Sequence, residues 1–286
     1  MDLSSQHLVS VDWLARNLQA PDLMIFDGSW HLPSENRDAR AEYAQGHIPG
    51  AFFFDIDDLS DDESPLPHML PPPVKFASRL KRIGVGDGVG IVVYDSKGIY
   101  SSARVWWTFR ALGHDNVAVL DGGLPAWKAS GLPLTDQPPA PRPPRHFSPR
   151  VKPAMVRDLA AVKSMLASGS AQVADARPAA RFAGDIPEPR PGLRSGHMPG
   201  SRNVPFDAVL NADGRMKPAD DLRTIFAAAG IDFSKPVITS CGSGVTAAVL
   251  SLALAIAGHT ETSLYDGSWA EWGQPESGGD VVAGFD

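Results

Sequence analysis

The sequence predicts two α/β domains in tandem, each built on a mainly parallel β-sheet with helices on both faces. Two observations lead to this fold class: a proline-rich segment divides the chain almost in half, and the two halves share short motifs in the same order. Within each half, short apolar runs typical of strands alternate with helical ones. A length of 286 residues is also what two domains of ordinary size would need.

The proline-rich segment covers residues 133–149 and contains 7 prolines in 17 residues. Proline removes backbone donors and favours an extended path, so we expect a semi-rigid linker here. The predicted N-terminal domain is therefore residues 1–132, and the predicted C-terminal domain is residues 150–286.

Four ordered matches at offsets of 145 to 150 residues relate the two halves. An ordered series of this kind indicates duplication of a whole domain. The matched pairs are Ile25-Phe26-Asp27 with Val173-Ala174-Asp175, Gly46-His47-Ile48-Pro49-Gly50 with Gly196-His197-Met198-Pro199-Gly200, Leu112-Gly113-His114 with Ala257-Gly258-His259, and Asp121-Gly122-Gly123 with Asp266-Gly267-Ser268.

The hydrophobic pattern places three strands and one clear helix in each half. In the first half we predict strands at 24–26, 90–94 and 117–120 and a helix at 101–112; in the second half, strands at 172–174, 236–239 and 263–265 and a helix at 246–257. Gly113 and Gly258 follow the two helices at the left-handed cap position. Short apolar strands separated by helices imply a parallel sheet that is covered on both faces.

Composition excludes several classes of protein. A net charge of −7 argues against a nucleic-acid binder, which normally has a basic face. A single cysteine excludes a disulfide framework and any multi-cysteine metal site, and we expect no metal or organic cofactor. The longest apolar segment, 245–257, is too short to span a bilayer, and no secretory signal is visible, so we expect a cytoplasmic protein.

Cys241 follows a predicted strand and precedes an apolar helix, in the run Cys241-Gly242-Ser243-Gly244-Val245-Thr246. In parallel sheets, ligand sites collect at the carboxyl ends of strands. Two glycines allow successive backbone N–H groups to converge, and the helix adds the positive end of its dipole. Both features stabilise an anionic sulfur, so we predict that Cys241 is a nucleophile available as the thiolate near neutral pH.

The alternative interpretation is that Cys241 is a small buried hydrophobic residue, which is common for a free cysteine. The glycine-framed loop between strand and helix favours the nucleophile. Aligning the strands of the two halves places Asp95 at the position of Cys241. The first half is therefore expected to have the fold without the nucleophile.

The sequence resembles the rhodanese superfamily, and within it the sulfurtransferases that use 3-mercaptopyruvate. The resemblance implies two rhodanese domains, of which only the C-terminal one is catalytic, and a cysteine that carries sulfur as a persulfide. The motifs that carry the resemblance are Asp27-Gly28-Ser29-Trp30, Gly46-His47-Ile48-Pro49-Gly50, His68-Met69-Leu70-Pro71, Val105-Trp106-Trp107, Asp121-Gly122-Gly123 and the Cys241 loop.

By the same resemblance, Arg181 and Arg190 bind the carboxylate and keto group of the substrate. Arginine suits this role because its planar fork matches a carboxylate. Ser243 is expected to donate to the sulfur, and residues 242–246 to surround it. The resemblance also places a histidine and an acid of the first half, His47 and Asp38, in the chemistry. Because His197 repeats the motif of His47, a structural role in a turn is the favoured interpretation of that histidine.

The predicted reaction moves sulfur from 3-mercaptopyruvate to Cys241, releases pyruvate, and passes the sulfur to cyanide, a small thiol or thioredoxin. A thiosulfate sulfurtransferase is the nearest alternative, although the uncharged Gly242 and Ser243 disfavour a dianionic donor. A phosphatase on the same fold would need an arginine where Ala247 stands. A non-catalytic sulfur-relay protein is a third alternative.

Overall fold

The computed structural model describes residues 1–285 of the chain, and their internal contacts divide them into two compact units. Unit 1 comprises residues 1–61, 70–152 and 210–216. Unit 2 comprises residues 62–69 and 153–209 and the chain from Lys217 onward. Each unit therefore includes one short segment from the other half of the sequence.

The proline-rich segment, predicted as a linker, belongs to unit 1. Arg142 Nη2 donates to the carbonyl of Leu23 at 2.8 Å, and Thr135 pairs with His47 in an antiparallel bridge. Phe147 is only 5% exposed. The main division of the chain thus falls between residues 152 and 153, because the segment contacts unit 1 through its backbone, the Arg142 side chain and one buried ring.

Both units contain a five-stranded parallel sheet with the same strand order. The order is β1-β5-β4-β2-β3 in unit 1 and β6-β10-β9-β7-β8 in unit 2. The strands are β1 (Leu8–Val9), β2 (Leu23–Asp27), β3 (Ala51–Phe53), β4 (Gly90–Tyr94), β5 (Val117–Leu120), β6 (Val156–Arg157), β7 (Gln172–Asp175), β8 (Arg202–Asn203), β9 (Val237–Ser240) and β10 (Thr262–Tyr265). The shared order confirms the predicted fold class and follows from the duplicated sequence.

Helices cover the sheets. They are α1 (Val11–Asn17), α2 (Ala39–Gln45), α3 (Pro73–Arg82), α4 (Ser102–Ala111), α5 (Gly123–Ala129), α6 (Leu159–Ser168), α7 (Ala179–Ala183), α8 (Ala219–Ala228), α9 (Ala247–Ile256) and α10 (Ser268–Trp272). The first eight residues of α9 are all buried, as an apolar helix without a polar face requires. No helix within residues 1–285 is long and apolar enough to cross a membrane.

The central strands and the two long apolar helices lie within one residue of their predicted bounds. Every residue of β2 and β4 is buried, which is why their sequences read as continuous apolar runs. Gly113 and Gly258 have φ of 88° and 89°, the left-handed conformation expected at these caps. The outer strands β1, β3, β6 and β8 have two or three residues each and leave no periodic pattern to detect.

Candidate active site

Cys241 lies at the carboxyl end of β9, in a loop that the start of α10 holds in place. Cys241 as a whole is only 2% exposed to solvent. The amide of Cys241 donates to Ser268 Oγ at 3.2 Å, and the carbonyl of Cys241 accepts from the amide of Trp269 at 2.9 Å. The Gly242 carbonyl accepts from the amide of Ala270 at 2.8 Å. The loop backbone is therefore fixed on both sides of the sulfur.

Ser268 has a left-handed backbone conformation with φ of 49°, which residues other than glycine rarely adopt. The residue is fully buried, and its hydroxyl donates to the carbonyl of Tyr265 at 2.8 Å while it accepts from Cys241. The matching position in unit 1 is Gly123, with φ of 55°. Unit 2 thus keeps a strained serine where unit 1 has glycine, and the hydroxyl it gains fixes the nucleophile's backbone.

The equivalent loop of unit 1 contains a carboxylate in place of the thiol. Asp95 Oδ2 accepts from the amides of Tyr100 and Ser102 at 2.7 and 2.9 Å, and Oδ1 accepts from the amide of Lys97 at 2.8 Å. The amide of Leu124 donates to the Asp95 carbonyl at 2.9 Å, as that of Trp269 does to Cys241. The loop of this fold therefore gathers amide donors around an anion, and unit 1 fills it with its own side chain.

The structure brings both predicted arginines to the Cys241 loop. Arg181 lies on α7 and Arg190 in the segment that follows. A Cβ atom placed on Gly242 would lie 3.1 Å from Arg181 Nη2 and 3.9 Å from Arg190 Nη1. Arg190 Nη2 donates to Ser243 Oγ at 3.3 Å. Two cations thus border the uncharged part of the loop, and glycine at 242 leaves room for them.

A histidine that the sequence did not assign to the site lies against Ser243. His68 Nδ1 is 3.0 Å from Ser243 Oγ, and both residues are 5% exposed. The backbone of His68 is left-handed, with φ of 61°. Strain of this kind persists where the surrounding structure enforces it, often at functional sites. The sequence signal for this histidine is the motif His68-Met69-Leu70-Pro71, which indicates the family but not a role in the site.

His47 and Asp38, the other predicted site residues, lie in unit 1. His47 Nδ1 contacts the carbonyl of Tyr43 at 2.9 Å, and its ring stacks on that tyrosine. His197 in unit 2 makes the same two contacts with Phe182. Asp38 caps α2 by accepting from the amide of Ala41 at 3.0 Å. The contacts of His47 belong to a turn and favour its structural interpretation, and Asp38 caps a helix; a part for either residue in the chemistry stays a prediction.

Gly244, Val245 and Thr246 complete the loop. Gly244 has φ of 79°, which lets the chain turn between Ser243 and the helix. Thr246 is the N-cap residue of α9, and Ala247 begins the helix. Among residues 1–285, no group of three or more His, Cys, Asp or Glu side chains could hold a metal ion. The site therefore combines a buried thiol with two arginines and a serine–histidine pair.

Comparison with known proteins places this arrangement in a family. The model of the rhodanese-like domain matches residues 10–130 and again residues 158–275. The chain belongs to the rhodanese family. The two matches confirm the predicted duplication, and each covers four of the five strands and all the helices α1–α5 or α6–α10 of one unit.

Proteins of several organisms are similar to this rhodanese-family chain. It is 43% identical over 282 residues to the human 3-mercaptopyruvate sulfurtransferase, covering 96% of this chain and 95% of that protein. It is 42% identical to the mitochondrial thiosulfate/3-mercaptopyruvate sulfurtransferase 1 of Arabidopsis thaliana, covering 96% and 78%. The crystal structure of SseA from Escherichia coli, a 3-mercaptopyruvate sulfotransferase, superposes with a TM-score of 0.83 at 42% identity, covering 92% of this chain and 98% of that one. The predicted resemblance is confirmed.

Proposed function

We propose that the protein transfers sulfur from 3-mercaptopyruvate to a thiophilic acceptor through a persulfide on Cys241. One observation carries the proposal: Arg181 and Arg190 converge on Gly242 and Ser243, next to the only cysteine of the chain. A 2-keto acid presents a carboxylate and a ketone oxygen side by side, and two guanidinium groups match that pair. The relatives named for 3-mercaptopyruvate support the same donor.

In the first half-reaction, the Cys241 thiolate attacks the sulfur of the donor. The new S–S bond forms as the C–S bond of mercaptopyruvate breaks, and the electron pair leaves on carbon as pyruvate enolate. The proton that the donor's thiol releases balances the one that the enolate carbon takes up to become pyruvate. Arg181 and Arg190 stabilise the negative charge of the leaving keto acid.

Ser243 and His68 supply a route for that proton. Ser243 stands two residues from Cys241, and its hydroxyl is paired with the buried imidazole of His68. Histidine is the side chain that most readily moves a proton near neutral pH. The loop amides stabilise the persulfide anion that results, as the amides around Asp95 stabilise a carboxylate in unit 1.

In the second half-reaction, an acceptor nucleophile attacks the outer sulfur and releases the Cys241 thiolate. Cyanide, a small thiol and a thioredoxin-type dithiol all have the required chemistry. We propose a cytoplasmic location, because a chain with a single cysteine fits a reducing compartment.

Thiosulfate is the competing donor, and the name of the Arabidopsis relative includes both. The test is to measure turnover with mercaptopyruvate and thiosulfate for the wild type, Cys241→Ser and Arg181→Ala. We expect mercaptopyruvate to be preferred, and intact mass to rise by about 32 Da, one sulfur atom, in every variant that keeps the cysteine. Arg181→Ala should lower turnover of mercaptopyruvate by at least roughly tenfold more than that of thiosulfate. A wild type that prefers thiosulfate would contradict the proposal.

A further inference from the structure

A row of four ion-paired side chains in unit 2 ends at Arg181, and the three behind that arginine are buried. Arg177 Nη2 donates to Asp175 at 2.7 Å, and Arg177 Nη1 donates to Glu188 at 2.9 Å. Glu188 in turn pairs with Arg181. The side chains of Asp175 and Arg177 are 0% exposed and that of Glu188 is 1% exposed, whereas that of Arg181 is 15% exposed. The row therefore reaches solvent only at the arginine that faces the Cys241 loop.

Arg177 anchors this row to the loop. Its guanidinium stacks on the ring of Trp269 at 4.1 Å and donates to the carbonyl of Gly196 at 2.9 Å. The amide of Trp269 holds the Cys241 carbonyl. Burial by itself lowers the pKa of Arg177, but Asp175 and Glu188 raise it above the usual arginine value. Arg177 is thus a permanent cation that fixes both the nucleophile loop and Glu188.

Glu188 determines which edge of Arg181 is available. It accepts from Arg181 Nε at 3.3 Å and also pairs with Nη2. No hydrogen bond among residues 1–285 engages Nη1, and the edge formed by Nη1 and Nη2 faces Gly242, at 3.9 and 3.1 Å from the position of a Cβ there. A solvated arginine would lose side-chain entropy on binding a ligand. An arginine that is already held loses less.

We propose that Glu188 is a positioning residue that sets the preference for a keto-acid donor, by holding Arg181 with one edge directed at the donor's carboxylate. The inference rests on the proposed function, because it is the mercaptopyruvate carboxylate that Arg181 would bind. The opposite role follows from charge alone: an anion close to a bound carboxylate repels it. Removal of the Glu188 charge weakens donor binding in the first case and strengthens it in the second.

The experiment compares Glu188→Gln, Glu188→Asp and the wild type. Steady-state kinetics with both donors give KM and kcat, and calorimetry gives the Kd of pyruvate. We expect Glu188→Gln to raise the KM for mercaptopyruvate and the Kd of pyruvate by about tenfold, with a change of less than about twofold in thiosulfate turnover. Glu188→Asp, with a shorter carboxylate, should recover part of the loss. Asp185→Asn is the matched control, because it removes an exposed charge from the same segment and Asp185 makes no ion pair with Arg181.

The double variant Arg181→Ala/Glu188→Gln decides whether Glu188 acts through Arg181. If it does, the double variant loses no more mercaptopyruvate turnover than Arg181→Ala alone. Additive losses, equal losses with both donors, or an unchanged Kd of pyruvate overturn the inference. If Glu188→Gln fails to fold, Glu188→Asp carries the same test with a smaller effect. The proposed function is judged separately, by whether the wild type turns over mercaptopyruvate.

Discussion

His68 Nδ1 lies 3.0 Å from Ser243 Oγ, although 175 residues separate them in the sequence. The segment of residues 62–69 that carries the histidine packs in unit 2, with the nucleophile loop. The pair is buried, and the backbone of His68 is held in a left-handed conformation. This buried histidine–hydroxyl pair, two residues along the chain from Cys241, is the proposed route of the proton.

His68→Asn should therefore lower kcat for mercaptopyruvate by at least about a hundredfold, since general acid–base groups contribute at least that much. Asparagine is chosen because it tolerates the left-handed backbone. The measurement is kcat with saturating mercaptopyruvate for the variant and the wild type. The control is His146→Asn, which makes the same substitution at an exposed histidine and should leave kcat unchanged. A normal kcat for His68→Asn would rule out the proton route through Ser243.

Gly242→Ala should weaken binding of mercaptopyruvate. The added methyl group would lie 3.1 Å from Arg181 Nη2, and Glu188 restricts how far the arginine can withdraw. We expect the KM for mercaptopyruvate to rise by roughly tenfold, about 1.4 kcal/mol of binding free energy. Gly46→Ala is the matched control, because its Cβ would meet only Leu134, at an ordinary 3.5 Å. If Gly242→Ala leaves the KM unchanged, the donor does not depend on this edge of Arg181.

Asp95→Ala should destabilise the protein and leave the chemistry of the folded enzyme intact. The Asp95 carboxylate is 1% exposed and accepts three amides and the Ser102 hydroxyl. Leaving buried donors without an acceptor costs about 1–3 kcal/mol each, so the free energy of unfolding should fall by at least about 2 kcal/mol. Urea denaturation measures the loss, and persulfide formation per folded molecule should match the wild type. Asp95→Asn, which keeps one acceptor oxygen, should lose less.

Asp27 should make the stability of unit 1 depend on pH. Burial, with a smaller contribution from the charge of Asp95, raises the pKa of Asp27 from 3.8 to about 6, although Ser29 and Tyr94 hydrogen-bond to it and oppose the rise. The folded state then keeps a proton that the unfolded chain has released. The contribution of Asp27 to the free energy of unfolding is therefore greatest below pH 3.8 and falls as the pH rises to about 6. Above that pH it stays lower by about 3 kcal/mol.

Asp27→Asn removes this dependence. The free energy of unfolding of the variant, relative to the wild type, should increase by about 2 kcal/mol between pH 4 and pH 7. Chemical denaturation at a series of pH values gives the difference. A constant difference across that range would mean that the pKa of the Asp27 carboxyl is not raised by burial. Asp27 lines a cavity of about 410 Å³ with Tyr43 and Ser29.

The sequence alone determined the duplicated α/β architecture, the strands and helices that form the centre of each unit, and the position of Cys241 between β9 and α9. These features depend on local patterns: apolar runs, helix-ending glycines and motifs repeated at a nearly constant offset. Asp95 could be matched to Cys241 for the same reason. Each such pattern consists of residues that are close together in the sequence, or of a short motif that recurs, so it can be detected without coordinates.

Only the tertiary structure decided which histidine faces the nucleophile loop and what holds Arg181. His47 has a repeated, visible motif, yet its contacts are with Tyr43; His68, in an irregular segment, meets Ser243. The ion pairs that Arg177 makes with Asp175 and Glu188 join the end of β7 to a loop without regular structure. Hydrogen bonds and ion pairs of this kind depend on distances between side chains that the folded backbone brings together, and no periodicity in the sequence encodes those distances.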